Sequence, residues 1–86
     1  MRVNRTGCRP NLVGYDFAGL NFDRSDLSNS FLNFAKLGRA SFANSVFENT
    51  VLRGAKLMAT SFQFSQLKHC NVEAAEIDGP IFENQK

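Results

Sequence analysis

The sequence predicts an all-β fold in which the chain winds into a coiled tube, each five-residue unit forming one side. Two observations predict it. Leucine and phenylalanine total seventeen residues, and thirteen fall in one phase of a five-residue count. Random placement would put about a fifth of them there, so the excess marks an internal repeat. Followed without a break, that phase reads Leu12, Phe17, Phe22, Leu27, Leu32, Leu37, Phe42, Phe47, Leu52, Leu57, Phe62, Leu67, Val72, Ile77 and Phe82, all apolar. Second, the residue two before each is small in eleven of these fifteen units, from Ser25, Ser30 and Ala35 to Ser65, Cys70 and Ala75. The remaining positions are mostly polar.

Ordinary elements cannot use this period. On an α-helix a step of five residues advances about 140° beyond a full turn, scattering the apolar side chains around the cylinder. On a flat strand an odd step alternates faces and sends half of them to solvent. A corner in every unit solves the problem. The large residue and its small predecessor then point inward, and the other three positions point out.

This register resembles that of the pentapeptide-repeat proteins, whose unit is a small residue, Asp or Asn, Leu or Phe, then two variable positions. Ser25-Asp26-Leu27, Ala35-Lys36-Leu37, Ala40-Ser41-Phe42 and Ala55-Lys56-Leu57 carry the likeness, which extends over residues 10–84. The resemblance implies a right-handed quadrilateral β-helix with four units per coil, hence just under four coils here. At about 4.8 Å between paired strands the stack is roughly 18 Å tall.

With four units per coil, every twentieth residue stacks. The inward columns become Leu12/Leu32/Leu52/Val72, Phe17/Leu37/Leu57/Ile77, Phe22/Phe42/Phe62/Phe82 and Leu27/Phe47/Leu67. One column is all phenylalanine, which permits offset ring stacking along the axis. Ser25, Ser45 and Ser65 form a column of hydroxyls able to bond along the ladder or to turn carbonyls. Gly14, Gly19, Gly38, Gly54 and Gly79 fall at outward and corner positions, where positive φ accounts for them.

The departures lie at the ends, where Pro10, Tyr15, Leu20 and Pro80 take the small-residue place. A narrow tube cannot hold large residues at both inward positions in mid-stack. Tyr15 and Leu20 are therefore expected to fold over the open first coil. The predicted organisation is an N-terminal cap or arm at 1–9, the repeat at 10–84 and a tail at 85–86. An open solenoid end exposes core and unpaired backbone groups. The C-terminal coil is accordingly expected to dock on a copy of itself or on a partner.

Formal charge is +2. Arg2, Arg5 and Arg9 supply the positive start, while residues 10–86 carry seven basic against eight acidic residues. No apolar run is long enough to span a bilayer or form a signal-peptide core, so the chain as given reads as soluble and cytoplasmic, with no membrane insertion.

Nothing in the pattern points to catalysis, a metal or a cofactor. His69, the sole histidine, falls at a corner in line with Asn29 and Asn49, without converging partners. Cys70 fills an inward small-residue slot, and Cys8 precedes the first coil by too great a distance for a disulfide with it. The serine column lacks a base.

The outliers are apolar residues at outward positions: Val13, Phe31 and Val51 on one face, Phe34 at its corner, and Val46 on the preceding face. Lys36, Arg39 and Lys56 line the next face as a basic stripe. One reading makes this an aromatic patch with a basic rim that binds a partner. The plainer reading has Phe34 covering a turn and Phe31 as one of the singly exposed apolar residues common on any protein.

A tube with a filled interior leaves its outer faces and ends for function. The expected class is a non-enzymatic protein-interaction or scaffolding module, as the resemblance implies. The alternative it implies is a DNA mimic that binds DNA gyrase, the quinolone-resistance type. The short stack and the near-neutral charge of residues 10–86 argue against that. Direct nucleic-acid binding is weaker still, because Asp16 and Glu76 end the basic stripe and no aromatic–basic interleaving follows one groove.

Overall fold

The computed structural model describes residues 9–78. Ten parallel bridges join them, each between residues twenty apart, from Asn11 with Phe31 to Lys56 with Glu76. One winding therefore takes twenty residues, or four five-residue units. The bridges form four ladders, one per face. The first runs Asn11–Phe31–Val51–Asn71 and the second Asp16–Lys36–Lys56–Glu76; the third is Asn21–Ser41–Ser61 and the fourth Asp26–Val46–Gln66.

Each rung is a single bridge, and no longer strand forms among the described residues. The unit is too short for one, because two of its five residues are given to a turn. Around Leu32 the arrangement is complete. The Leu32 amide donates to the Val51 carbonyl at 2.8 Å, the Val51 amide to the Ser30 carbonyl at 3.0 Å, and the Phe34 amide to the Arg53 carbonyl at 2.9 Å. The Ala35 amide closes the turn on the Leu32 carbonyl at 3.1 Å. A positive φ at the third residue of such a turn is the type II signature.

That positive φ recurs without exception. All thirteen corner positions from Gly14 to Ala74 have φ between 59° and 75°, and ten of them are not glycine. An L-residue there costs about 1–2 kcal/mol. Asn29, Asn44 and Asn49 tolerate it best; Phe34 and Phe64 are the bulkiest residues made to adopt it. The expectation that positive φ accounts for the glycines holds at Gly14, Gly19 and Gly54. It fails at Gly38, one residue before its corner, where Arg39 takes the left-handed conformation instead. Gly79 lies outside the described residues.

Burial offsets the corner strain. Leu27, Leu32, Leu37, Phe42, Phe47, Leu52, Leu57 and Phe62 are wholly buried, with Ala35, Ala40 and Ala55 beside them. Full burial of one such large side chain contributes about 1.5–3 kcal/mol, enough to outweigh one left-handed corner per unit. Phe22, Phe42 and Phe62 stack along the axis with ring centroids 5.4 and 5.8 Å apart and planes within 20°. Phe47 meets Phe42 and Phe62 edge-on at 5.0 and 5.2 Å. Phe82 lies outside the described residues.

The small inward residues are not merely spacers. Thr50 Oγ1 donates to the Leu27 carbonyl and Thr60 Oγ1 to the Leu37 carbonyl, both at 2.7 Å; Ser65 Oγ donates to the Phe42 carbonyl at 2.6 Å. In each case the acceptor lies twenty-three residues back, at a turn of the preceding coil. The Cys70 thiol donates to the Phe47 carbonyl in the same relation. In the serine column, Ser45 Oγ accepts from the Ser25 amide at 3.0 Å and donates to the Phe22 carbonyl at 3.1 Å. The buried Ser30 Oγ has no partner among the described residues. The same offset from Ser30 leads to residue 7, which lies outside them.

The first coil differs. Leu12, Phe17 and Phe22 are only partly buried, and Tyr15 and Leu20 stay 51% and 49% exposed. Tyr15 packs its ring 5.7 Å from Phe17. Of the predicted cap at 1–9, residues 1–8 lie outside the described residues, as do Cys8, Pro80 and the tail at 85–86.

Candidate partner surface

The five-residue register sets every outward side chain by its place in the unit. The bridge residue and the one after the large residue project from a face, and the left-handed residue projects from an edge. The sequence-predicted patch resolves into parts. Phe31 and Val51 are neighbouring rungs of the first ladder and both are partly buried. The guanidinium carbon of Arg9 lies 4.6 Å from the Phe31 ring centroid, a cation–π contact. Val13 is exposed in the first coil. Val46 belongs to the fourth ladder, between Asp26 and Gln66, and the structure does not join it to Phe31 or Val51 through a bridge.

Among the described residues Phe34 is the most exposed of the large apolar side chains, at 59%, on the edge between the first and second faces. Its ring lies across the turn of the coil below. A Cβ placed on Gly54 would come within 2.5 Å of two of its ring carbons. The plainer reading of Phe34 is thus partly realised: the ring does cover a turn, and more than half of it still faces solvent. Such exposure in a strained backbone region marks the residue as a candidate for function.

On the second face Lys36 and Lys56 are bridge partners, both exposed, and Arg39 stands exposed at the far edge. The acidic rungs Asp16 and Glu76 adjoin the lysines above and below. Among the described residues neither lysine is in an ion pair; the ion pair seen is Arg53 with Glu73 at 3.4 Å, on the first face.

Met58 and Phe64 are also exposed and were missed by the sequence reading. Both occupy outward positions of their units, so the rule that singled out Phe34 would have found them. His69 is an exposed corner residue with φ 62°. Burial pushes the Cys70 thiol up to about 11, a backbone hydrogen bond from Thr50 pulling the other way. At neutral pH it is therefore a protonated packing group, not a nucleophile. Among the described residues no helix is long and apolar enough to cross a membrane.

Comparison with known proteins bears on the fold. Residues 35–73 match the family model for pentapeptide repeats, in eight copies. Among solved structures the chain is similar to a pentapeptide repeat protein from the thylakoid lumen of Arabidopsis thaliana, with a TM-score of 0.60 and 24% identity. That likeness covers 88% of this chain and 60% of the plant protein. A pentapeptide repeat protein from the cyanobacterium Cyanothece 51142 is 18% identical over 87% of this chain and 62% of that one, with a TM-score of 0.28. The chain therefore spans less than two thirds of either protein's length. No curated protein matches it. The twenty-residue ladders and the likeness to the plant structure agree on a β-solenoid fold, and residues 35–73 of this chain match pentapeptide repeats.

Proposed function

We propose that this chain is a non-enzymatic docking module: a right-handed, four-sided solenoid of just under four coils over residues 10–84, whose outer surface binds another protein. Residues 1–9 serve as its arm and 85–86 as a tail, and the reading takes the protein as cytoplasmic. The observation that carries the reading is Phe34, a large ring more than half exposed and held at φ 61° where asparagine or glycine would relieve the strain. The candidate contact surface comprises Val13, Phe31, Phe34, Val46 and Val51 with the basic residues Lys36, Arg39 and Lys56. The filled interior supports the same reading, since it leaves the outer faces for recognition.

A second copy is the other partner this reading admits, through the C-terminal coil. Val72 there is only partly buried and Ile77 is exposed. A strictly monomeric light-scattering profile at high protein concentration would remove that partner. The DNA-mimic alternative is not favoured. Lys36, Lys56 and Arg39 put positive charge on the second face, where an imitation of duplex phosphates needs negative charge.

The test is quantitative affinity capture from the native host with wild-type chain and with the double variant Phe31→Ser/Phe34→Ser. Both side chains point outward, so the variant should keep the wild-type fold by circular dichroism and lose captured protein by about tenfold. Equal capture by the two chains would sink the docking reading.

A further inference from the structure

The second face holds a group of residues that the solenoid itself does not require. Gly38 is the clearest. Its φ is not left-handed, and a Cβ there would meet only the Met58 carbonyl oxygen, at an ordinary 3.5 Å. Neither backbone conformation nor crowding calls for glycine at this position. Its effect is to leave the main chain bare between Lys36 and Arg39. Glycine placed where the fold does not need it is suited to the close approach of another backbone.

Lys36 and Lys56 flank this shelf in adjacent rungs, about 4.8 Å apart along the axis. Like charges directly opposite on a ladder destabilise it. No carboxylate among the described residues forms an ion pair with either, although Asp16 and Glu76 occupy the next rungs. Arg39 adds a third positive charge at one edge. Phe34 at the other edge and Met58 beside Lys56 add exposed apolar surface.

We propose that this shelf docks an extended acidic segment of a partner polypeptide, lying along the second face across Lys36–Arg39 and Lys56–Met58. The inference rests on the docking reading above and names the chemistry of the partner. The apolar rim favours a peptide over a small anion. Phe34 and Met58 offer apolar contact that an inorganic anion cannot use. Asp16 and Glu76 confine the positive charge to two rungs, so a nucleic-acid backbone following the axis would meet carboxylates at both ends.

The probe is a fluorescein-labelled peptide of alternating glutamate and phenylalanine, with a lysine–phenylalanine peptide as control, titrated into the full chain. Saturable binding of the acidic peptide alone is expected, with amide shifts confined to residues 34–39 and 54–59. Lys36→Glu/Lys56→Glu should weaken it by about tenfold or more. Gly38→Leu should weaken it similarly while leaving the thermal melt unchanged. Arg24→Glu and Lys68→Glu, on other parts of the surface, should change it by less than about twofold. Absence of saturation, or equal losses in all the charge variants, would overturn the inference. Binding that maps to Phe31 and Val51 would also overturn it while leaving the docking reading intact. That wider reading falls only with equal capture by wild type and Phe31→Ser/Phe34→Ser.

Discussion

The first coil and the two coils below it are built on one register but hold their shape by different means. In the middle coils every inward residue except Leu67 is wholly buried and the corners are mostly not glycine, so strain is accepted where burial offsets it. In the first coil Leu12, Phe17 and Phe22 are only partly buried, and two of its corners are the unstrained Gly14 and Gly19. Its bridge positions Asn11, Asp16, Asn21 and Asp26 are all Asn or Asp. Each accepts, through its own side chain, the amide two residues on, at 2.9–3.1 Å. A coil whose large residues are mostly only partly buried gains less from packing, and local side-chain-to-backbone bonds stand in for what packing supplies elsewhere. Solenoid ends are thus marked by turn chemistry as much as by a cap.

Truncating the same aromatic column in both regions should separate them most strongly. Phe42→Ala removes a wholly buried ring with stacked neighbours on both sides and should cost about 3–5 kcal/mol in urea denaturation. Phe22→Ala removes a partly buried ring that stacks on Phe42 and meets Phe17 edge-on, and should cost about half as much. Equal losses would mean that the first coil is packed as tightly as the middle.

A smaller effect probes the corners. Gly54→Ala meets both the left-handed backbone and the Phe34 ring, and should destabilise by about 2 kcal/mol. In a Phe34→Ala background the steric part disappears, leaving about 1 kcal/mol of backbone strain. Identical costs in the two backgrounds would show that Phe34 does not lie over that turn.

Most of the fold was legible because the register is unbroken. Position within the unit fixed which side chains point inward, and the stacked Phe22, Phe42 and Phe62 and the serine hydroxyl bonds followed from counting in twenties. Other features depend on what lies between coils. Arg9 over Phe31 joins an end of the chain to a face, and no period records it. Phe34 over Gly54 could be read as a stacked pair, but how far the ring stays exposed could not. Gly38 misled because glycine in a corner-rich fold suggests positive φ, whereas the unit puts that burden on Arg39. Of the candidate surface, the adjacency of Lys36 with Lys56 was legible from the twenty-residue offset. The count likewise put Val46 on the face preceding Phe31, as the ladders have it.

A five-residue unit stacked every twenty residues orders the backbone, and amide hydrogen exchange followed by NMR reads that order residue by residue. In the middle coils the ladder donors Leu32, Phe34, Lys36, Leu37, Arg39, Val51 and Lys56 should exchange slowly. The amides of Asn33, Gly38, Glu48, Arg53 and Met58, which have no acceptor among the described residues, should exchange fast, giving one gap in each of their units; the equivalent Ala43 amide, which donates to Asp23 Oδ1, should be slower. Protection recurring every three or four residues, or an unbroken slow run through these positions, would contradict the account.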